Sequence, residues 1–396
     1  MISIAVVSDL HADRREHAAA GTVPVESHLD VSMPESHVSQ HPIAALEKLI
    51  GQEGLRADLL LCPGDITNRA KPDPLQYAWR RLHDIGRALG AHLVAGTAGN
   101  HDLDSRFNYN DHDAKGMVQG LVPLFPVADE TLTDRYWSRH YAIIERPDYR
   151  LVLLNSAAYH GGNPEEIVHG RVSRRTLDGL SGALRTSGDV AGRINILLCH
   201  HHPERHPALA LPDYDAMTLG PDLLALLGSG EFGQWLIIHG HKHNPRLTYA
   251  GGTASAPVVF SAGSFSAVLY PELQNRVRNQ FYLLHIDARH VAQFGLVGSG
   301  QAWDYVPGNG WVPAGQDSGM PDSFGFGCRI EPALWTERLA AAGSSLRSWQ
   351  DVLRDYPELA FVLPADFAMI ERRLSERHGV LITRVKGRPH QIGKTP

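Results

Sequence analysis

The sequence has little cysteine, with three residues in 396: Cys62, Cys199 and Cys328. None belongs to a Cys-x-x-Cys pair, which excludes a disulfide framework and a thiolate zinc site of the usual spacing. Cys62 and Cys199 each end an apolar run, so we expect them to be buried free thiols. Unpaired thiols are typical of a reducing compartment, and we therefore expect a cytoplasmic protein.

The sequence also lacks a long apolar run. No segment approaches the roughly 18 uncharged apolar residues that a membrane-spanning helix needs. The first residues lack the basic segment and the apolar core of a signal peptide. We therefore expect no contact with a membrane.

An excess of positive charge is missing as well. The formal net charge is −6, whereas a protein that coats nucleic acid without sequence preference needs a basic surface. The charge balance argues against this function but does not exclude a nuclease with a locally basic groove. Hydrophobic residues make up 43% of the chain, which is enough for a sizeable core.

Short apolar runs alternate with helix-like segments, and this order predicts an α/β fold built from βαβ units. Beyond Asn244, strand-like segments follow one another closely, and the last of them is Val291–Leu296. The earlier apolar runs are Ile2–Val7, Ala57–Cys62, Ala91–Ala95, Arg150–Asn155, Ile194–Cys199 and Trp235–His239.

The pattern divides the chain into three parts. Residues 1–297 form the predicted catalytic domain, and the Gly/Pro-rich residues 298–327 a linker or long loop. Residues 328–396 form an extension with helix-like segments and a basic tail, since Glu371 to Pro396 holds seven Lys/Arg and two Asp/Glu. We expect the extension to pack on the catalytic domain, on a protein partner or on a second copy, with nucleic acid as another possible ligand. The insert 12–56, which contains four histidines, reads as a polar surface loop.

Five short polar motifs each follow an apolar run. Ligands of an α/β sheet bind at the carboxyl ends of its strands, so we expect the motifs to converge there. Their carboxylates and imidazoles suit divalent Mn, Fe or Zn. The motifs are Asp9-Leu10-His11, Gly64-Asp65, Gly99-Asn100-His101-Asp102, His201-His202-Pro203 and Gly240-His241-Lys242-His243.

Over about residues 1–295 these motifs resemble those of the calcineurin-like metallophosphoesterases. The resemblance implies a four-layered αββα sandwich, here with a small α-rich C-terminal extension, and two divalent metal ions, of which Mn is expected to work best in vitro. It assigns Asp9, His11 and His243 to one ion, Asn100, His201 and His241 to the other, and Asp65 to both.

Three consecutive histidines leave one ligand ambiguous. The family's ligand commonly stands two residues before a proline, which favours His201. Strand alternation supports the same choice. His200 would then be structural, and His202 could face the substrate.

The resemblance further implies that His101 is a general acid and that Asp102 orients it. Two metals can activate a bridging hydroxide for in-line attack on phosphorus, and His101 would protonate the leaving alkoxide. Arg106 and His202 are candidate substrate residues. Phe265 could stack on a base or belong to the core.

We therefore expect a metal-dependent phosphodiesterase acting on a cyclic nucleotide or another small nucleotide-type diester. The alternatives are a nuclease that docks nucleic acid on residues 328–396, and a phosphomonoesterase. The fold does not decide among these substrates.

Overall fold

The fold is taken from a computed structural model, which describes residues 1–15, 25–105, 113–161, 169–187, 193–205, 216–316, 318–385 and 387–394. Two large β-sheets form its centre, and helices flank both. The helices outside the extension are α1 (Pro42–Glu53), α2 (Pro72–Leu89), α3 (Ala114–Gln119), α4 (Glu130–Arg139), α5 (Arg174–Ser187), α6 (Gly220–Leu227), α7 (Pro271–Gln274) and α8 (Ala288–Phe294).

The first sheet has seven strands and includes both the start of the chain and the region after residue 279. Its strands are β1 (Ile2–Val6), β2 (Leu59–Cys62), β3 (Leu93–Gly96), β10 (Gln280–Ile286), β11 (Gly298–Val306), β12 (Gly310–Pro313) and β13 (Ser323–Phe326). The order is β12-β11-β10-β1-β2-β3, with β13 also paired to β11. Strands β1, β2 and β3 are parallel neighbours.

The second sheet has six strands. In sequence, these strands fall between the two parts of the chain that form the first sheet. The six strands are β4 (Tyr141–Glu145), β5 (Tyr149–Leu154), β6 (Ile194–Leu198), β7 (Trp235–His239), β8 (Arg246–Tyr249) and β9 (Val258–Ser261). The order is β4-β5-β6-β7-β9-β8, and β5, β6, β7 and β9 run parallel.

Strand β5 shows why the molecule has four layers. Successive side chains of a strand point to opposite faces. Leu151 and Leu153 belong to the core shared with the first sheet, whereas Val152 and Leu154 pack in a second core with α5 and α6. On the first sheet, α2 contacts β2 and β3. Both faces of β5 are therefore buried, and the predicted α/β sandwich is confirmed.

The segment 298–327, predicted as a linker or long loop, instead supplies β11, β12 and β13. The glycines that suggested a loop make room for aromatic rings. A Cβ added at Gly300 would lie 2.3 Å from Cζ of Phe324, and one at Gly298 would lie 2.3 Å from Cζ of Phe326. Glycine in a strand often marks such a close approach.

The C-terminal extension contains the predicted helices, namely α9 (Pro332–Ala342), α10 (Trp349–Asp355) and α11 (Pro364–His378). It also contains a three-stranded sheet of β14 (Arg347–Ser348), β15 (Val380–Val385) and β16 (Arg388–Lys394). The predicted basic tail is therefore the end of α11 followed by a β-hairpin.

Two further predictions have definite outcomes. Cys62 and Cys199 are buried free thiols, as expected. The segment Val291–Leu296 is not a strand, since α8 covers most of it. Among the described residues, no helix combines the length and apolarity that a membrane span requires.

Candidate metal centre

All five polar motifs lie just beyond the carboxyl ends of parallel strands. Asp9 and His11 follow β1, Asp65 follows β2, and Asn100 follows β3. The histidines at 200–202 follow β6, and His241 and His243 follow β7. The two sheets therefore bring their carboxyl ends to one place, as the strand-end rule requires.

One group of ligand atoms comes from Asp9, His11 and His243. All three residues are buried, and their candidate ligand atoms lie within 4.8 Å of one another. Nε2 of His11 is 3.1 Å from Nε2 of His243, and the latter is 3.5 Å from Oδ1 of Asp9. A divalent ion coordinated by both imidazole nitrogens would account for their close spacing.

Asp65 lies between this group and the second. Its Oδ2 atom is 3.5 Å from Nε2 of His11 and 3.3 Å from Nε2 of His200. Its Oδ1 atom accepts the backbone N–H of His101 at 2.8 Å. The carboxylate of Asp65 is therefore within 3.5 Å of a candidate ligand atom from each group.

The second group differs from the prediction in one histidine. Nδ1 of His200 is 2.8 Å from the carbonyl oxygen of Pro63, while Nε2 is 3.1 Å from Oδ1 of Asn100. His200, His201 and His241 also offer ligand atoms within 4.8 Å of one another. His200, expected to be structural, thus points into the centre, and both it and His201 are candidate ligands.

The backbone of these motifs is strained. Asp9, His11, Asp65, His241 and His243 all have positive φ, between 46° and 79°. Such values are uncommon for residues other than glycine, and they cluster at functional sites. Five of the seven predicted metal ligands adopt this conformation.

Two glycines allow the motifs to approach one another. A Cβ added at Gly99 would lie 2.0 Å from Oδ1 of Asp65, and one at Gly240 would lie 2.3 Å from Oδ2 of Asp9. Neither distance is compatible with a side chain. These glycines are therefore needed for the carboxylates to reach the centre.

Burial and neighbouring charges shift the pKa values of Asp65 and His200 in opposite directions. Burial raises the pKa of Asp65, but the charges of His200 and His101 outweigh it and hold that pKa well below its usual value. Burial lowers the pKa of His11 to about 3. For His200, the attraction of Asp65 outweighs burial and raises the pKa to about 9.

The centre fits divalent metal ions. Nε2 of His201 and Nε2 of His241 are buried and have no hydrogen-bond partner among the described residues. Buried polar atoms normally have partners, and a metal ion would supply them. The set of carboxylate, amide and imidazole ligands is one that Mn²⁺, Fe²⁺ and Zn²⁺ accept.

His101 lies beside this cluster, and its ring contacts Asn68. Its Nδ1 atom is 3.2 Å from Oδ1 of Asn68. Both carboxylate oxygens of Asp102 accept backbone N–H groups, from Thr67 at 3.0 Å and from Gly99 at 2.8 Å. Asp102 therefore holds the two loops that carry Asp65 and Asn100, and Asn68 contacts the histidine.

The predicted substrate residues have three outcomes. Phe265 is fully buried with its ring centroid 4.9 Å from that of Trp311, so it belongs to the core. His202 is buried beside the cluster, with its ring stacked at 5.8 Å on that of His241. Arg106 lies outside the described residues.

Sequence reasoning missed several residues near the centre. His160 is buried, and its ring stacks on that of His201 with the centroids 5.0 Å apart. Tyr270 stacks on His243 at 5.6 Å and is 45% exposed. Neither lies in a motif, so only the fold places them here. Asn68 follows the Gly64-Asp65 motif and could have been considered as part of it.

Comparison with known proteins agrees with this geometry. The family model "Calcineurin-like phosphoesterase" matches residues 2–245. The chain therefore belongs to the calcineurin-like phosphoesterase family, whose members hydrolyse phosphoric esters at a dinuclear metal centre. No curated protein matches the chain by sequence.

Several solved structures are similar at low identity. A purple acid phosphatase from yellow lupin seeds is 13% identical with a TM-score of 0.47, over 82% of this chain and 53% of that one. The chain thus spans about half of the lupin protein. "Structure of PhoD" is 11% identical with a TM-score of 0.42, over 81% and 72%. The phosphopantetheinyl hydrolase of Mycobacterium tuberculosis is 15% identical with a TM-score of 0.35, over 66% and 89%.

Proposed function

We propose that this phosphoesterase hydrolyses phosphodiesters, and that its substrates are small nucleotide-type diesters such as a cyclic nucleotide. The observation that carries the substrate class is the position of Tyr270, an exposed aromatic residue stacked on a candidate metal ligand. The chemistry follows from the cluster and from His101.

The proposed ligands of one ion are Asp9, His11 and His243. Asn100, His241 and either His200 or His201 would hold the second, and Asp65 would contact both. When bound, two divalent ions lower the pKa of a water and neutralise charge on the phosphate oxygens. The remaining chemistry belongs to the chain's own side chains.

His101 is the proposed general acid. Breaking a diester leaves an alkoxide, which needs a proton when it is a poor leaving group. With Nδ1 of His101 held by Asn68, Nε2 is the nitrogen that would deliver this proton. A positioned histidine typically contributes about 10²–10⁴ in rate.

Tyr270 is the proposed platform for a base. One side of its ring lies against His243, and 45% of the residue is exposed. A substrate whose phosphate sits at the metal cluster would bring a neighbouring nucleoside toward this ring. Stacking of a base on an aromatic side chain is worth about 1–3 kcal/mol.

A pair of substrates and a pair of variants test the proposal. With Mn²⁺, we expect Tyr270→Leu to raise KM for a cyclic nucleotide about tenfold, which corresponds to about 1.4 kcal/mol. Glycerophosphocholine, a diester without a base, should keep its KM, and Tyr270→Phe should behave like the parent protein. An equal change for both substrates contradicts the stacking role, and faster hydrolysis of p-nitrophenyl phosphate than of any diester contradicts the diesterase assignment.

The alternative function is a nuclease. The observation that favours a nuclease is the basic end of the C-terminal extension, because basic side chains can contact the phosphates of a nucleic acid.

A further inference from the structure

The C-terminal extension, residues 328–394, has a hydrophobic core of its own. Its core residues are distinct from those of the two sandwich cores. The extension is therefore built as a small domain rather than as a tail. The buried members of this core are Trp335, Leu339, Trp349, Val352, Leu359, Val362, Ile370, Leu374, Val380 and Ile392.

The order of elements in this domain is distinctive. Along the chain it reads α9, β14, α10, α11, β15, β16, and the sheet order is β14-β16-β15 with antiparallel pairing. Helix α11 contacts both α9 and β15. Three helices with a short strand after the first, followed by a hairpin whose last strand lies in the middle of the sheet, form the connectivity of a winged helix-turn-helix domain.

The place of α11 in this order gives it a specific surface. In helix-turn-helix domains the recognition helix lies in the major groove of DNA, and α11 holds the corresponding position. Ile370 and Leu374 face the core. The opposite stripe of the helix is exposed and consists of Ala365, Ala368, Arg372, Ser375 and Glu376. The small side chains of Ala365, Ala368 and Ser375 allow a close approach.

Charge distinguishes this region from the rest of the chain. From Glu371 to Pro396 there are seven Lys/Arg and two Asp/Glu, a net of +5, whereas the whole chain carries −6. Arg372, Arg377 and Arg388 are exposed. A local basic surface on an acidic protein is the electrostatic footprint of a phosphate backbone.

The hairpin is fixed relative to the helix. The Nη2 atom of Arg384 on β15 lies 2.8 and 2.9 Å from the two carboxylate oxygens of Glu371 and donates to them. Hydrogen bonds between charged groups are stronger than those between neutral groups. The pair neutralises one acidic side chain of α11 and links β15 to the helix.

We propose that this domain binds double-stranded nucleic acid, with α11 in a groove and Arg372 and Arg377 on phosphates. This binding is independent of the proposed hydrolysis of small diesters. If the protein both binds duplex and hydrolyses diesters, the extension would bring the catalytic domain to a polymer that is itself linked by phosphodiester bonds.

The test uses the full-length protein and a fluorescent 25-base-pair duplex, with anisotropy measured over a range of salt concentrations. We expect saturable binding that weakens as salt rises. In Arg372→Gln/Arg377→Gln, the slope of log K against log salt should fall by about 2, one for each lost phosphate contact. Arg87→Gln is the matched control, since the Arg87 side chain is 78% exposed on α2, and it should bind like the parent protein.

Three results would overturn the proposal: no duplex binding by the parent protein, equal salt slopes for the parent protein and the double variant, or heparin bound as tightly as duplex. Hydrolysis of bis-p-nitrophenyl phosphate is measured on the same preparations, and the double variant should retain it. A protein that hydrolyses this diester but does not bind duplex disproves only the role of the extension. A protein that binds duplex but hydrolyses no diester disproves only the proposed diesterase activity.

Discussion

The Oδ1 atom of Asn68 lies 3.2 Å from Nδ1 of His101. The partners of the Asn68 amide nitrogen determine which of these two atoms donates. The Nδ2 atom donates to Oδ2 of Asp13 at 3.1 Å and to Oε2 of Glu26 at 2.6 Å. Ionised carboxylates only accept hydrogen bonds, so the amide nitrogen must face them and the oxygen must face the histidine. The proton on Nδ1 of His101 is thereby fixed, which leaves Nε2 for proton transfer.

The first prediction concerns Asn68. Asn68→Leu removes the acceptor for Nδ1, and we expect kcat for an alkyl diester to fall about tenfold, the scale of one net hydrogen bond. Both metal ions should remain. Asn68→Asp places a charge beside His101, favours its protonated form, and should move the basic limb of the pH–rate profile to higher pH. An unchanged limb would show that Asn68 does not act through His101.

The second prediction concerns His101 itself. His101→Ala should lose about 10²–10⁴ in kcat for an alkyl diester and keep both metals, since it is not among the proposed ligands. The loss should be smaller for bis-p-nitrophenyl phosphate, because nitrophenolate leaves without a proton. Equal losses for the two leaving groups would be inconsistent with a general acid.

The third prediction separates the two adjacent histidines. Nε2 of His200 is close to both Asp65 and Asn100, so we expect His200→Ala to contain about one metal ion per chain instead of two. His201→Ala is the comparison, because Nε2 of His201 is also buried and has no hydrogen-bond partner among the described residues. Metal content is read by elemental analysis of the folded variants. If only His201→Ala loses metal, the ligand is the one that the family's spacing before proline favours.

The fourth prediction uses two glycines. Gly99→Ala should reduce metal content and stability, because its Cβ would lie 2.0 Å from Oδ1 of Asp65. Gly51→Ala, inside α1, meets nothing within 4 Å and should leave metal content unchanged while stabilising the protein by up to about 1 kcal/mol. Thermal unfolding and elemental analysis of both variants provide the measurement. A Gly99→Ala protein with full metal content would show that the metal centre does not need the close approach of Gly99 to Asp65.

The sequence predicted the parts of the fold that depend on strand ends. A polar motif directly after an apolar run identifies both the strand and its carboxyl end, and Asp9, Asp65 and Asn100 could be placed together for that reason. The fold prediction failed where the role of a glycine depends on side chains that are distant in sequence. Gly298 and Gly300 suggested a loop, but they lie in a strand beneath the rings of Phe324 and Phe326.

For the site, the sequence predicted which motifs come together but not how each side chain is oriented. Side chains within motifs were gathered correctly, but their orientations were not. Alternation along a strand cannot distinguish His200 from His201 after the strand ends, because the backbone there no longer alternates. The resemblance implied that Asp102 orients His101, whereas both carboxylate oxygens of Asp102 accept backbone N–H groups. Tyr270 reaches the centre from a segment that carries no motif.

The dinuclear centre is tested most directly by metal content measured together with activity. After exhaustive chelation, hydrolysis of bis-p-nitrophenyl phosphate should be abolished, and added Mn²⁺ should restore it as two ions bind per chain. In Asp65→Ala, which lacks the carboxylate between the two groups, both metal content and activity should be lost. Full activity after chelation, or at most one metal ion per chain in the fully active protein, would contradict the dinuclear centre.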